Sequence, residues 1–94
     1  MRIVAVCGAG IGTSAILKVN AERALARLGL SADVTATDLD GIVTTAADAQ
    51  VVLTSSELAA QVRSRLGRTY AEIIEVRNYF DVEEIAAHLE RSLG

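Results

Sequence analysis

The sequence predicts an α/β fold: a four-stranded parallel sheet in the order 2-1-3-4, with helices on both faces. Short apolar segments alternate with segments of helical periodicity along the 94 residues, which is typical of parallel strands joined by right-handed crossovers. Hydrophobic residues make up 51% of the chain, enough for the buried core of one domain over residues 1–94. No proline, linker or internal repeat divides the sequence.

The composition excludes several classes of protein. A net charge of −3 argues against a nucleic-acid binder, which usually presents a basic face. No apolar run approaches the roughly 18 residues that a membrane helix needs. The first apolar stretch ends at a glycine loop, not at a signal-peptide cleavage site, so we expect a cytoplasmic protein. Its one cysteine has no partner for an internal disulfide.

The N-terminal third predicts a strand, a loop and a helix. Residues 2–6 form a nearly continuous apolar run, which suits a strand buried on both faces of a parallel sheet. After the loop, the hydroxyl of Thr13 or Ser14 can cap a helix, and Gly29 is a suitable stop. The apolar residues at helical spacing between these points are Leu17, Ala21, Ala24, Leu25 and Leu28.

The middle of the chain predicts two more strands. Residues 32–37 are half-polar and suit an edge strand, and residues 51–53 form the third strand. The connection between them has room for one helical turn at residues 44–48. A helix capped by the hydroxyls of residues 54–56 follows and ends at Gly67. Its inward residues are Leu58, Ala59, Val62 and Leu66.

The last third predicts a fourth strand at residues 73–76 and a final helix. Asp81 and Glu84 have the spacing of a capping box, with Asp in place of the usual Ser or Thr. The predicted buried face of this helix consists of Val82, Ile85, Ala86 and Leu89.

The predicted architecture places a site at one edge of the sheet. Ligands of open parallel sheets bind beyond the carboxyl ends of the strands, near the point where the strand order reverses. In the order 2-1-3-4 that point lies between strands 1 and 3, which are followed by Cys7 and by Thr54-Ser55-Ser56. The segments at Asp38 and at Arg77-Asn78 would form the rim.

The strongest functional signal is the segment Cys7-Gly8-Ala9-Gly10-Ile11-Gly12-Thr13-Ser14. Alternate glycines allow the backbone to approach an anion closely, and the amides at a helix N-terminus bind anions. A thiol held there is expected to titrate below its ordinary pKa of about 8.5 and to act as a nucleophile. We therefore expect Cys7 to carry a phosphoryl group that residues 8–14 bind, without a metal or cofactor.

Spacing distinguishes this loop from other glycine-rich motifs. A dinucleotide fingerprint needs glycine where Thr13 stands, and a Walker A loop needs lysine directly after Gly12. Tyrosine phosphatases have an arginine at the position of Thr13, and without it the loop stabilises attack by water less well. The chain also lacks the proline of the phosphatase acid loop and the further cysteines of arsenate reductases. These differences favour a phosphocysteine that waits for an acceptor.

The loop after a terminal strand resembles the phosphorylation loop of enzyme IIB subunits of the sugar phosphotransferase system (PTS), in their lactose, ascorbate and galactitol superfamily. The likeness extends to Ile16-Leu17-Lys18, to residues 48–55 and to Val76-Arg77-Asn78, and the loop most resembles the ascorbate type. The resemblance implies a phosphotransferase relay. A IIA partner (EIIA) phosphorylated on histidine would donate to Cys7, which would then donate to a sugar bound by the membrane permease IIC (EIIC).

Alternative interpretations of the same residues stay open. A small cysteine phosphatase, or a regulatory module that senses phosphorylation state, would use a similar loop. Helix capping explains residues 54–56 more simply than contact with a phosphoryl group, and a surface salt bridge is the common explanation for Arg77. Lys18 is expected to be solvated, and His88 to lie on the surface away from the site.

Overall fold

The computed structural model describes residues 1–6, 11–67, 71–78 and 80–93, without the side chains of residues 11–14 and 93. Strands and helices alternate along these ranges, as the sequence predicts. The elements are β1 (Arg2–Val6), α1 (Ile11–Leu28), β2 (Asp33–Thr37), α2 (Ile42–Thr45), β3 (Val51–Ser55), α3 (Ala59–Leu66), β4 (Glu72–Val76) and α4 (Val82–Leu93).

The sheet confirms the predicted topology. Its four strands are parallel and lie in the order β2-β1-β3-β4. The four residues of β1 from Ile3 to Val6 are completely buried, because helices cover both faces of this central strand. β2 is an edge strand, as its half-polar sequence indicates, and Val34 is the one buried residue in it. The strand order therefore reverses between β1 and β3.

Alternate residues of the strands pack into two separate cores. Ile3 and Ala5 of β1 belong to the core that α1 and α4 cover, whereas Val4 and Val6 belong to the core beneath α2 and α3. The helix residues of the first core are Leu17, Ala21, Ala24, Leu25, Ile85, Ala86 and Leu89. The helical periodicity thus identified the buried faces of both long helices.

Several predicted boundaries are wrong by one to three residues. The helical turn α2 spans Ile42–Thr45 and not residues 44–48, because Asp38 Oδ1 accepts the Gly41 N–H at 2.8 Å and closes the turn before it. β3 continues two residues beyond its predicted end, to Ser55, since β4 pairs with its whole length. The same pairing starts β4 one residue early, at Glu72.

The C-terminus of α1 ends at a glycine in the left-handed region, as predicted. Gly29 has φ +71°; its N–H donates to the Ala26 carbonyl at 3.2 Å, and the Leu30 N–H donates to the Leu25 carbonyl at 2.9 Å. These two bonds form a Schellman motif, which satisfies carbonyl groups at the end of the helix.

Gly29→Ala is expected to lower the free energy of unfolding by about 1 kcal/mol, because a Cβ disfavours the left-handed backbone. An added Cβ would meet no atom within 4 Å, so the loss comes from the backbone alone. Gly29→Asn should lose less, since asparagine tolerates this conformation. Urea denaturation measures both variants, and equal stability of Gly29→Ala and the native chain would contradict the prediction.

Candidate functional site

The predicted site begins at the carboxyl end of β1. Val6, the last residue of β1, pairs with Thr37 of β2 on one side and with Thr54 of β3 on the other. Because α1 begins at Ile11, four residues connect the end of this central strand to the N-terminus of a helix. These four residues, Cys7, Gly8, Ala9 and Gly10, lie outside the described residues, and their roles stay predictions.

The first turn of α1 contains residues 11–14. The prediction that Thr13 or Ser14 caps this helix is wrong, because the helix has already begun at Ile11. The first four N–H groups of an α-helix have no partner within the helix and carry the positive end of its dipole. No acidic residue stands in this turn. The backbone of residues 11–14 thus supplies donors of the kind that bind anions.

The end of β3 carries two hydroxyl groups with different surroundings. Ser55 Oγ accepts the Leu58 N–H at 3.2 Å and closes the turn before α3. Thr54 is completely buried, and its Oγ1 has no hydrogen-bond partner among the described residues. The capping prediction is therefore wrong for Thr54, which lies inside the strand. The N-cap residue of α3 is Leu58, and its side chain makes no capping bond. The hydroxyl of Ser55 bonds to the Leu58 N–H and so closes the turn that precedes the helix.

The segment after β4 is held by the carboxylate of Glu84. Its two oxygens accept the Arg77 N–H at 2.8 Å and the Asn78 N–H at 3.0 Å. Asp81 Oδ1 accepts the Glu84 N–H at 3.1 Å. The predicted capping box is thus half right: Asp81 caps α4, but Glu84 bonds to the strand end and not to the Asp81 N–H, which donates to the Asn78 carbonyl.

His88 belongs to the same network, in which its side chain is partly buried. Its Nε2 is 3.1 Å from Glu84 Oε2, its Nδ1 is 2.8 Å from Arg91 Nη2, and its side chain is 24% exposed. A guanidinium group can only donate, so Nδ1 accepts and the ring proton on Nε2 is donated to Glu84. A chain of hydrogen bonds therefore links Arg91 through His88 and Glu84 to the end of β4.

The environment of Glu84 favours its charged form. Burial raises the pKa of the carboxyl, but the hydrogen bonds from Arg77, His88 and Asn78 outweigh it and hold the pKa below the ordinary 4.5. A carboxyl whose pKa is lower in the folded state stabilises that state above the ordinary pKa. The contribution is lost as the pH falls through the folded value.

Glu84→Gln is expected to lower the free energy of unfolding near neutral pH by about 1–3 kcal/mol, because an amide nitrogen cannot accept the second backbone N–H. The difference from the native chain should begin to shrink below pH 4.5, where the carboxyl of the unfolded chain becomes protonated, and should shrink further as the pH falls through the lower pKa of the folded chain. Urea denaturation near neutral pH and at about pH 3 measures both effects.

The matched control for this experiment is Glu83→Gln. Glu83 is the neighbouring carboxylate on α4, is 87% exposed, and approaches Arg27 only at 3.8 Å, so its loss should change stability little. A Glu84→Gln variant whose loss does not depend on pH would contradict the role assigned to the carboxylate.

Two basic residues singled out by the sequence have different environments. Lys18 Nζ pairs with Glu22 Oε2 at 3.3 Å, one turn along α1. The side chain of Arg77 makes no ion pair with any described residue, so the salt bridge expected for it is not found there. Phe80, nearby in sequence, is 69% exposed. The segment after β4 thus presents a cation and an aromatic ring to solvent.

The described ranges contain neither a metal-binding cluster nor a membrane-spanning helix. Within them, no three His, Cys, Asp or Glu side chains cluster closely enough to bind a metal ion. None of the helices there combines the length and the apolar character needed to cross a membrane.

Comparison with known sequences identifies related proteins along nearly the whole chain. The family model for the lactose/cellobiose-specific IIB subunit of the PTS system matches residues 2–91. The chain is also 29% identical over 93 residues to the ascorbate-specific PTS system EIIB component of Mycoplasma pneumoniae. That match covers 99% of this chain and 95% of the relative.

Solved structures share the fold at low sequence identity. The lactose-specific IIB domain of Streptococcus pneumoniae has a TM-score of 0.76 at 11% identity, covering 100% of this chain and 98% of that chain. The YwlE arginine phosphatase, solved with a phosphorylated active-site serine, has a TM-score of 0.69 at 11% identity. The match covers 99% of this chain and 98% of that chain. A low molecular weight protein tyrosine phosphatase of Bacillus subtilis has a TM-score of 0.57 at 14% identity. The match covers 99% of this chain and 92% of that chain.

The sequence and structural comparisons agree with the resemblance seen in the sequence. The structural matches show one fold that IIB subunits and low molecular weight phosphatases share. The family match shows more than the fold, because it covers nearly all of the chain. IIB subunits are in general phosphotransferases. The chain therefore belongs to the lactose/cellobiose-specific IIB subunit family and is a IIB component of a sugar PTS.

Proposed function

We propose that Cys7 carries the phosphoryl group in a relay from IIA to a sugar bound by IIC. The observation that supports this most is the position of residues 7–10 between a central strand and the N-terminus of α1. A thiol at a helix N-terminus ionises easily, and the same dipole stabilises the phosphocysteine dianion. The first turn of α1 has no carboxylate that would repel this anion.

In the first step the Cys7 thiolate attacks the phosphorus of the IIA phosphohistidine. An S–P bond forms as the N–P bond breaks, and the imidazole leaves with the electron pair and takes up a proton. Backbone amides of residues 8–14 and the hydroxyl groups of Thr13 and Ser14 stabilise the charge on the three non-bridging oxygens. The product is a phosphocysteine.

In the second step a hydroxyl group of the sugar attacks the same phosphorus. An O–P bond forms, the S–P bond breaks, and Cys7 leaves as a thiolate, while the sugar hydroxyl releases its proton to the permease or to solvent. A thiolate of low basicity is a good leaving group, so one property of Cys7 serves both steps. This relay implies a cytoplasmic protein that binds the membrane through IIC.

The test of this function is peptide mass spectrometry after incubation with phosphorylated IIA. We expect a gain of one HPO3 group on the peptide that contains Cys7, and the loss of that group on acid treatment. Addition of vesicles that contain IIC and its sugar should remove the label and form sugar phosphate. A label on another peptide would contradict the proposal, and steady hydrolysis of aryl phosphates without IIA would indicate a phosphatase instead.

A further inference from the structure

The segment after β4 carries a positive charge at the carboxyl edge of the sheet. The four strands are parallel, so the residues that follow them lie at one edge. The segments after the other three strands, residues 7–10, 38–41 and 56–58, contain no basic residue. Arg77 directly follows β4, is exposed, and makes no ion pair with any described residue. Its charge is therefore available to an anion that approaches this edge.

The register of the sheet gives the distance from Arg77 to the end of β1. Val6 pairs with Thr54 of β3. The next residue of β3, Ser55, pairs with Val76 of β4. With strands about 4.8 Å apart and a rise of about 3.3 Å per residue, the Val6 and Val76 Cα atoms are about 10 Å apart. The Arg77 Cα atom then lies within about 14 Å of the Val6 Cα atom. A charge acts over such distances, since the Debye length is about 8 Å at physiological ionic strength and about 30 Å at 0.01 M.

Hydrogen bonds among the described residues hold the backbone of this segment in place. The Glu84 carboxylate accepts the Arg77 N–H at 2.8 Å and the Asn78 N–H at 3.0 Å. Asn78 in turn accepts two N–H groups: its Oδ1 accepts that of Phe80 at 3.0 Å, and its carbonyl accepts that of Asp81 at 3.1 Å. A surface that is already ordered loses little conformational entropy when a partner binds.

Phe80 adds an apolar group to the same segment. It is 69% exposed, the largest value among the big apolar residues that the structure describes. Contact with a partner would remove this ring from water, and aromatic and arginine side chains are enriched among the residues that contribute most to protein binding. We refer to Arg77, Asn78 and Phe80 as the β4 rim.

We propose that phosphorylated IIA docks on the β4 rim, with Arg77 attracting the phosphohistidine and Phe80 packing against the IIA surface. The inference rests on the proposed transfer from IIA to Cys7. Charge complementarity selects this partner, because the donor brings an anionic phosphoryl group to the carboxyl edge, whereas the hydroxyl group that accepts it in the second step is neutral. Arg77 speeds the encounter of the two proteins, and Phe80 slows their dissociation.

The experiment measures the rate at which phosphorylated IIA, below saturation, labels Cys7 of the intact chain. At about 0.01 M salt Arg77→Gln should be labelled about fivefold more slowly, the effect of one charge about 8 Å from a dianion in water. At about 1 M salt, where the Debye length is about 3 Å, this difference should nearly vanish. Arg77→Lys keeps the charge and should keep the native salt dependence.

Phe80 has its own variant, and each variant has a matched control at the opposite edge of the sheet. Phe80→Ala should be labelled about tenfold more slowly at both salt concentrations, because salt does not screen an apolar contact. Arg2→Gln removes an exposed positive charge at the first residue of β1, so it should slow labelling much less than Arg77→Gln. Leu30→Ala removes an exposed apolar side chain three residues before β2 and should be labelled at the native rate.

A native rate of Arg77→Gln at low salt, or an equal loss in Arg2→Gln, would overturn the inference. A loss that Arg77→Gln and Phe80→Ala show only in the transfer from Cys7 to sugar would also overturn it, because the β4 rim would then bind IIC. Failure of the proposed function looks different, since the native chain then takes no phosphoryl group from IIA. Calorimetric titration still tests the rim in that case: phosphorylated IIA should bind the native chain, and should bind Arg77→Gln more weakly.

Discussion

Cys7→Ser is expected to abolish phosphoryl transfer from IIA to sugar. A serine hydroxyl stays protonated near neutral pH and attacks phosphorus poorly without a general base. A serine phosphate that did form would donate poorly, because an alkoxide is a much worse leaving group than a thiolate. The measurement is the formation of sugar phosphate by vesicles that contain IIC, supplied with phosphorylated IIA and the variant.

A control variant must show that lower stability alone does not abolish phosphoryl transfer. Gly29→Ala lowers stability by about 1 kcal/mol at the other end of α1, which is 18 residues long, or roughly 27 Å. It should therefore transfer at the native rate once folded. Sustained formation of sugar phosphate by Cys7→Ser would show that another residue carries the phosphoryl group.

The order of the sheet could be predicted because burial and composition are directly linked in parallel sheets. A strand with helices on both faces must be apolar along its length, as Ile3 to Val6 are, while an edge strand tolerates the threonines of β2. For the same reason, the helical spacing of apolar residues predicted the buried faces of α1 and α4. The lactose, ascorbate and galactitol superfamily of IIB subunits could be recognised because the loop motif combines a nucleophile with unusually specific glycine spacing.

The details of the site depended on tertiary contacts that local patterns do not contain. Thr54 and Ser55 have the composition of a helix cap, but pairing with β4 extends β3 through both of them. Glu84 stands at the capping-box position, but its carboxylate instead accepts the N–H groups of the two residues that follow β4. The sequence did contain one indication of the network on α4, because Glu84, His88 and Arg91 are spaced to share one face of a helix.

Gly10→Val is expected to slow phosphorylation of Cys7 by IIA about 100-fold or more. Gly10 directly precedes Ile11, the first residue of α1, in the stretch whose amides are proposed to bind the phosphoryl group. A branched side chain there would hold the anion away from those amides, and losing one donor to developing charge typically costs about 10²–10³-fold in rate. The measurement is the initial rate of labelling of Cys7 by phosphorylated IIA.

Gly10→Ser distinguishes crowding of the anion from weakening of the helix. Serine is a good residue immediately before a helix and valine a poor one, so a variant that fails only through α1 should recover fully with serine. If the phosphoryl group binds at this glycine, Gly10→Ser should keep native stability and still transfer more slowly, since it also adds a Cβ. Normal labelling of Gly10→Val would instead reject a close approach of the phosphoryl group to this part of the backbone.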